Sequence, residues 1–384
     1  MTDSGEQALV AITATLRGED TERPAPSEVT TAAAHLVSLI DSGVDPLLAR
    51  LRAGLAWVDL PVGRGGLDLD PEHQAAAERV AVAAGVPDPP ADAAVGVAMV
   101  GPAIALFGSE AQLEMLEPAF SGEHRWCQLF SEPDAGSDLA SLSTRAVRTG
   151  SGWLVNGQKV WTSNASRATH GLLLARTGAA SDRHRGLTMF VFPMDTPGVQ
   201  LRPLRQMNGE SRFYEVFLED VELPDSARVG DEARGWYVAM EVLNRERRSV
   251  HRGLVEDVLD PVALLARSRP ERELHADAWR RLLVTHLTNT LFERRLVADD
   301  LLRVNHYGPL LKLAQSSLYR SISEVALDAL GPAGQLACYD VGDEDWEADE
   351  AFSFLRARAN SIEGGTTEIL RSIVAEQGLG LPKA

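Results

Sequence analysis

The spacing of apolar positions predicts helices at both ends of the chain. Residues 27–120 are rich in alanine, and their apolar positions recur at intervals of three and four, which is typical of amphipathic helices. Gly and Pro clusters interrupt this pattern at Pro61-Val62-Gly63 and between Gly85 and Pro90. After Gly235 the helical spacing returns and continues to about Gly378.

Between these stretches, from about Trp126 to Val229, the apolar runs are short and predict strands. Asn156-Gly157 lies between two such runs and predicts a β-hairpin turn, because Asn-Gly is a favoured two-residue turn. Further strands are predicted over residues 172–175, 187–192 and 213–218. The order of helices, strands and helices predicts a mainly α protein with a β insertion rather than alternating βαβ units. The predicted domains are an N-terminal helical domain (1–123), a β domain (124–232) and a C-terminal helical bundle (233–384).

Composition narrows the classes of function. The 384 residues are 45% hydrophobic and 24% charged, as in globular proteins, and the formal net charge is −18. Such an acidic protein repels nucleic acid and anionic membranes, so we expect neither as a partner. The sequence has no apolar run long enough to span a membrane and no signal-peptide core, which predicts a cytoplasmic protein. Two cysteines and the absence of HExxH and CxxC patterns predict no metal site.

A loop rich in Gly, Ser, Asp and Pro follows the strand-like run at Trp126. Its backbone N–H groups and hydroxyls suit the carbonyls of a flavin or a phosphate, although an ordinary turn is the commoner explanation of such chemistry alone. The complete sequence motif is more specific than the loop composition, since Ser131-Glu132-Pro133 precedes Ala135-Gly136-Ser137-Asp138. It resembles the signature of the acyl-CoA dehydrogenase family.

Other segments resemble the same family in order along residues 95–381. They are Asn156-Gly157-Gln158-Lys159 with Trp161-Thr162-Ser163, Arg185-Gly186-Leu187-Thr188, Glu219-Asp220-Val221-Glu222-Leu223-Pro224, Gly331-Pro332-Ala333-Gly334 and Glu363-Gly364-Gly365-Thr366-Thr367-Glu368-Ile369. Each match is short, and Gly331-Pro332-Ala333-Gly334 alone indicates a helix-ending turn. The occurrence of all these motifs in the family's order is specific. The resemblance implies the acyl-CoA dehydrogenase fold with the three domains given above.

The resemblance also implies FAD as the cofactor. The flavin-binding positions carried over by motif are Gln128, Leu129, Phe130, Ser131, Gly136, Ser137, Trp161, Thr162, Ser163, Gly331, Gly334, Thr366, Thr367 and Glu368. In the family, Ser131 would lie near the pyrimidine end of the flavin, Trp161 would cover the ring and Ser163 would approach N5. Without the family, Trp161 would be an aromatic packed in a hairpin, and Thr366 would be an N-cap without a ligand.

Two glutamates compete as the base that removes an α-proton. Glu246 interrupts a helical seam of apolar or small residues formed by Trp236, Ala239, Leu243, Val250 and Gly253, from which Arg245, Arg247 and Arg248 point away or to the edge. An internal ion pair is the structural alternative for a carboxylate on such a face. The other candidate is Glu363, in the C-terminal word.

The family favours Glu246. In the medium-chain type the base lies in the C-terminal word, but aligning Gly365-Thr366 on that word leaves Gly364 at the base position. In the isovaleryl and long-chain types the base precedes an Arg on the helix, as Glu246 precedes Arg247. By resemblance the substrate-binding residues are Ser137, Asn244, Arg247, Gly364 and Gly365, and the Gly364 backbone N–H could hold the thioester carbonyl.

The resemblance implies α,β-desaturation of an acyl thioester, carried by CoA or a carrier protein. Glu246 would take the pro-R α-proton, and electrons would pass to an electron-transfer flavoprotein. One family word, Arg-x-x-Phe-Gly, is missing between Arg248 and Leu330. In a homo- or hetero-oligomer, a dimer or tetramer, a partner subunit could supply that contact. The alternatives are a non-catalytic subunit that completes a partner's FAD site, and a flavin oxidase or monooxygenase on the same scaffold.

Overall fold

The computed structural model describes residues 25–251, 273–298, 307–332 and 350–383. The chain divides into two compact units. The first comprises residues 24–206 and 210–246, and the second contains residues 247–384. Six helices, eight strands and the beginning of a seventh helix are described in the first unit.

Six short helices occupy the stretch for which the apolar spacing predicts helices. They are α1 (Ser27–Asp41), α2 (Pro46–Arg52), α3 (Gln74–Ala83), α4 (Gly101–Phe107), α5 (Glu110–Leu113) and α6 (Leu116–Ser121). Side chains cap two of them: Asp45 accepts hydrogen bonds from the first backbone N–H groups of α2, and Ser109 and Gln112 form a capping box on α5. The predicted breaks near Pro61 and Gly85 are confirmed as non-helical segments.

Eight strands form one sheet. They are β1 (Trp126–Leu129), β2 (Arg145–Arg148), β3 (Gly152–Ser163), β4 (His170–Arg176), β5 (Leu187–Pro193), β6 (Val199–Leu204), β7 (Phe213–Pro224) and β8 (Arg228–Val229). The order is β6-β7-β3-β2-β4-β5-β8, and β1 pairs in parallel with β4. The three strands predicted over residues 172–175, 187–192 and 213–218 are confirmed as parts of β4, β5 and β7.

Strand β4 is buried on both faces, which explains its uninterrupted apolar run. Leu172 and Leu174 belong to a core shared with the helices, whereas Leu173 and Ala175 belong to a second core made by the strands. The same alternation divides the side chains of β5. Because successive side chains of a strand point to opposite faces, a strand between two cores needs apolar residues at every position.

The predicted hairpin at Asn156-Gly157 is wrong, because both residues lie inside the 12-residue strand β3. Asn156 Nδ2 donates to Asp220 Oδ1 of β7, and Asp220 N donates to Asn156 Oδ1, at 2.9 Å each. Gly157 is needed for close packing, since a Cβ there would lie 2.7 Å from Thr144 Cα. The register of β3 against β7 shifts at this point, so the pair of residues marks a bulge and not a turn.

The long helix α7 (Gly235–His251) begins against strand β5. A Cβ at Gly235 would lie 2.5 Å from the carbonyl carbon of Thr188, so only glycine allows this approach. Val238, Ala239 and Val242 then pack into the core shared by the helices and the sheet. The helix start is therefore fixed on the sheet.

The second unit is helical in its described part. Its helices are α8 (Glu273–Ala298), α9 (Tyr307–Ala329), α10 (Glu350–Arg356) and α11 (Thr367–Ile373). Leu282 of α8 packs with Leu318 and Ile322 of α9. The buried ammonium of Lys312 donates hydrogen bonds to the carbonyl of Asn360 and to Ser316 Oγ.

The order of helices, sheet and helices confirms the predicted mainly α fold with a β insertion. The exact division into three domains stays a prediction. Within the described ranges, no helix has both the length and the apolar character needed to cross a membrane.

Candidate functional site

The loop that follows β1 presents polar and open positions. Glu132 and Ala135 hold its tip through two reciprocal backbone hydrogen bonds of 3.0 and 3.1 Å. Gly136 and Ser137 are exposed, and a Cβ at Gly136 would meet no atom within 4 Å. Leu129 and Phe130 are instead buried, and their side chains pack in the two cores.

Trp161 has an unusual backbone and an exposed ring. Its φ is 60°, in the left-handed region that costs a residue with a Cβ about 1–2 kcal/mol. Its side chain is 61% exposed, and the indole meets Phe213 edge to face with ring centroids 5.9 Å apart. The alternative of an aromatic packed within the sheet does not fit this exposure. Strain combined with an exposed aromatic ring is typical of a binding position.

The two residues that follow Trp161 in β3 are less exposed than Trp161. Thr162 is completely buried, and its Oγ1 has no hydrogen-bond partner among the described residues. Ser163 is half-buried at the end of β3, opposite Phe213. Trp161 therefore offers an exposed ring to a ligand, whereas Thr162 is enclosed by the protein.

The structure brings the two predicted flavin segments together. Val160 N donates to Ser131 O at 2.9 Å. Lys159 Nζ donates to Phe130 O and to Glu132 Oε1, at 2.9 Å each. The loop after β1 and the Trp161 end of β3 therefore form one site in the first unit.

Glu132 and Lys159 are residues of this site that the sequence prediction did not include. Both residues belong to the family motifs quoted above, and this is the sequence feature that could have identified them as site residues. Burial alone would raise the pKa of Glu132, but Lys159 and hydrogen bonds from Ser143 and Thr144 hold that pKa well below its usual range. Burial lowers the pKa of the Lys159 ammonium, and the Glu132 carboxylate opposes this fall.

Glu246, the predicted base, is half-buried on α7, as is Asn244. The buried face of the helix differs in part from the predicted seam: Val238 and Val242 are buried with Ala239, while Trp236 and Leu243 are only partly buried. Glu246 lies between the directions of Ala239 and Val242 when the helix is viewed along its axis. Arg247 continues the helix, and its side chain lies outside the described residues, as do Val250's side chain and all of Gly253.

Arg245 points off the predicted seam and is nevertheless buried, because the packed face of the helix differs in part from that seam. Its Nη2 lies 2.7 Å from Asp59 Oδ2, and its Nε lies 2.5 Å from Glu241 Oε1. The two carboxylates explain why an arginine can be buried here. The ion pair with Asp59 ties α7 to the chain segment after α2, one residue before Glu246.

The C-terminal motif, residues 363–369, lies in the second unit. Thr366 is the N-cap of α11, and its hydroxyl accepts a hydrogen bond from Ile369 N, while Thr367 and Glu368 form the first turn. Gly364 and Gly365 adopt left-handed φ values of 61° and 104°. Gly331 has a φ of 60° just after α9, as a helix-ending turn requires, and Gly334 lies outside the described residues.

Glu363 is held by an arginine. Arg356 Nη2 lies 3.0 Å from Glu363 Oε2, and Nη1 lies 3.4 Å from Oε1. Within the described ranges, no group of three or more His, Cys, Asp and Glu side chains could hold a metal ion.

Comparisons with known proteins place this architecture in one family. The family model described as "Acyl-CoA dehydrogenase, middle domain" matches residues 127–221, and "Acyl-CoA dehydrogenase, C-terminal domain" matches residues 233–379. Acyl-CoA dehydrogenase IpdE1 of Mycobacterium tuberculosis is 34% identical over 343 residues, which cover 86% of each chain. The solved structure of the steroid ACAD Tcur3481-Tcur3483 shares the fold, with a TM-score of 0.69 at 23% identity over 98% of both chains.

A longer relative is also similar. Acyl-CoA dehydrogenase FadE34 of Mycobacterium tuberculosis is 39% identical over 327 residues, which are 84% of this chain. This chain spans only 44% of the length of FadE34. The likeness therefore concerns one part of that protein.

The fold and the comparisons define an oxidoreductase that acts on acyl-CoA and uses FAD. This chain belongs to the acyl-CoA dehydrogenase family. The first unit is compatible with the cofactor, since the exposed indole of Trp161 and the open position at Gly136 belong to two segments that the hydrogen bond from Val160 N to Ser131 O joins.

Proposed function

We propose that this chain is an acyl-CoA dehydrogenase that desaturates the α,β bond of an acyl thioester to the trans-2-enoyl product. The observation that carries the proposal is the junction of the loop after β1 with the strained, exposed Trp161, through Val160 N and Ser131 O. A planar ring laid on the exposed indole would lie beside the polar loop. The flavin contacts predicted at Gln128, Ser131, Gly136, Ser137 and Ser163 are proposed on the same ground.

FAD supplies the acceptor for the hydride that leaves the β-carbon. The protein must supply a base for the α-proton, and we assign this role to Glu246. Glu246 is half-buried on α7 and directly precedes Arg247, the arrangement that the family resemblance gives for a base on this helix. Asn244 and Arg247 are proposed substrate contacts on the same helix. The predicted roles of Gly331, Gly334, Gly364, Gly365, Thr366, Thr367 and Glu368 stay predictions.

The proposed substrate is a CoA thioester with a lipid or steroid acyl group. The steroid part of this proposal is supported by the likeness in fold to the steroid ACAD Tcur3481-Tcur3483. The acyl-CoA part is supported by the acyl-CoA dehydrogenases FadE34 and IpdE1. An electron-transfer flavoprotein is proposed as the electron acceptor. A cytoplasmic location stays a prediction.

The proposal is tested by mixing the FAD-loaded protein anaerobically with acyl-CoAs of increasing size, from short chains to steroid side chains. We expect at least one to bleach the flavin absorbance and to yield the enoyl-CoA. No bleaching by any member, from a protein that holds FAD, would contradict the proposed dehydrogenation. Rapid reoxidation by oxygen alone would indicate an oxidase instead.

The assignment of the base is tested with Glu246→Gln, which keeps the size and polarity of the side chain. We expect FAD to be retained and flavin reduction to slow by at least about 100-fold, the low end for loss of a general base. Glu363→Gln is the matched control and should reduce its flavin at nearly the wild-type rate. The opposite pattern would move the base to Glu363.

A second candidate is a subunit that shares its FAD site with a different partner chain. The observation that favours it is the absence of the Arg-x-x-Phe-Gly word between Arg248 and Leu330. Co-expression with a homologous subunit should then raise the FAD content per chain. Full FAD occupancy in a homo-oligomer would remove the need for such a partner.

A further inference from the structure

The ion pair between Lys159 and Glu132 is completely enclosed in the first unit. The Lys159 side chain is 0% exposed, and Glu132 is buried. The ammonium donates to Phe130 O and Glu132 Oε1, and the carboxylate also accepts from Ser143 N, Ser143 Oγ and Thr144 N at 2.7–2.9 Å. The pair forms a connected polar network inside a hydrophobic surrounding.

Stability alone is a poor explanation for this network. Moving two charges out of water costs several kcal/mol per ion, and apolar replacements of buried pairs are often as stable or more stable. Lys159 is a fully buried cation on β3, the strand whose Trp153 and Val155 belong to the strand core. A further role for the pair must therefore follow from what it connects.

The pair connects the two segments of the candidate site. Lys159 lies two residues before Trp161 on β3, and its ammonium holds the carbonyl just before Ser131. The adjacent bond from Val160 N holds the carbonyl of Ser131 itself. Glu132 continues the clamp to residues 143 and 144, which lead into β2. The backbone on both sides of Ser131 is thus fixed relative to Trp161.

We propose that Lys159 and Glu132 are positioning residues of the flavin site, which hold the Ser131 backbone and Trp161 at a fixed separation. The inference rests on the proposed function, in which these two segments bind FAD. Neither side chain reaches the surface, so the pair acts through the residues that it holds. Its removal should alter the hydrogen bonds offered to the flavin, and with them the flavin affinity, absorption spectrum and reduction potential.

The test is the double variant Glu132→Gln/Lys159→Met, which removes both charges together. The Glu132→Gln change keeps one amide oxygen, which can accept from either residue 143 or residue 144, whereas Lys159→Met alone would leave a buried carboxylate without its cation. The matched control is Arg52→Met/Glu117→Gln, which removes an exposed ion pair of the same unit between α2 and α6. FAD affinity, flavin spectrum, reduction potential and thermal unfolding are measured for all three proteins.

We expect the double variant to fold with a lower midpoint of thermal unfolding than the wild type, because Phe130 O loses its donor, to bind FAD about tenfold or more weakly, and to shift the spectrum and potential. The control should match the wild type in every measurement. Wild-type affinity, spectrum and potential in the double variant would overturn the inference. A double variant that cannot fold would make the pair a requirement of the fold and would equally overturn it. Failure of the wild-type protein to take up FAD would instead refute the proposed function.

Discussion

Arg356 holds both carboxylate oxygens of Glu363, through Nη2–Oε2 and Nη1–Oε1 distances of 3.0 and 3.4 Å. The Arg356 side chain is 6% exposed, so Glu363 balances a buried cation inside the second unit. This arrangement gives Glu363 a structural role that needs no reaction. It agrees with the one-residue offset that places Gly364, and not Glu363, at the family's alternative base position.

We predict that Glu363→Gln lowers the free energy of unfolding by about 1–3 kcal/mol, the usual cost of leaving a buried polar group poorly matched. Flavin reduction should change little. Urea denaturation and anaerobic rapid mixing measure the two quantities on the same preparation. An unchanged stability together with a loss of flavin reduction of 100-fold or so would contradict this role, because general-base loss starts near that value.

Trp161 offers a prediction in which stability and binding separate. Trp161→Gly removes a left-handed residue that costs about 1–2 kcal/mol, so the apoprotein should be no less stable than the wild type. FAD affinity should fall by about tenfold or more, as expected when an aromatic ring that stacks on a planar ligand is lost.

Titration of the apoprotein with FAD and thermal unfolding distinguish these effects. Trp161→Phe is the control, because it keeps an aromatic ring and should lose less affinity than the glycine variant. Equal FAD affinity in the wild type and Trp161→Gly would show that the exposed indole does not contact the flavin.

The start of α7 on β5 predicts a steric effect. In Gly235→Ala the new Cβ would lie 2.5 Å from the carbonyl carbon of Thr188, so the helix must move away from the strand. We expect a loss of about 1–3 kcal/mol in the free energy of unfolding, typical of overpacking. Gly150→Ala, where a Cβ meets nothing within 4 Å, should change stability by less than about 0.5 kcal/mol. Equal stability of the two variants would contradict the contact.

His170 predicts the acid dependence of stability. Its ring stacks 4.1 Å from His124 and 5.1 Å from Trp126, and Thr169 Oγ1 lies 3.0 Å from its Nδ1. Burial, with a smaller effect of His124, lowers the pKa of His170 from 6.5 to about 4, and Asp195 opposes this shift. The unfolded chain therefore binds more protons than the folded one between these pH values, so stability falls as pH decreases from about 6.5 to about 4.

We predict that His170→Phe, which keeps a ring but takes up no proton, flattens the decline of stability with acid over this pH range. Urea denaturation at several pH values measures the slope. His35→Phe, at an exposed position of α1, should leave the slope unchanged. A slope in His170→Phe equal to that of the wild type would assign the acid sensitivity to other groups.

The sequence predicts the order of the elements well, because apolar spacing reflects which faces are buried. It fails at Asn156-Gly157, where the local preference for a turn is overridden by pairing on both sides of β3. Whether an Asn-Gly pair turns or continues depends on strands that are distant in the chain, such as β7. No local pattern contains that information.

The sequence predicts the loop after β1 and Trp161 as parts of the candidate site, but it does not predict the buried ion pair of Glu132 and Lys159. The loop after β1 and Trp161 are predicted as site residues from the sequence motifs that contain them. The hydrogen bond from Val160 N to Ser131 O agrees with the prediction that the two segments share one site. Glu132 and Lys159 were overlooked, because charged residues in a polar word are expected to face water. The sequence does not predict the burial of Arg245 either, since its partner Asp59 lies 186 residues earlier in the chain.

The enclosed pair of Glu132 and Lys159 has a consequence for recombining related enzymes. The two residues are 27 positions apart, and each depends on the other to remain tolerable inside the protein. A crossover between them in a chimera would join a carboxylate from one parent to whatever the other parent carries at position 159. Shuffled libraries will therefore yield more intact enzymes when residues 126–163 are inherited as a single block.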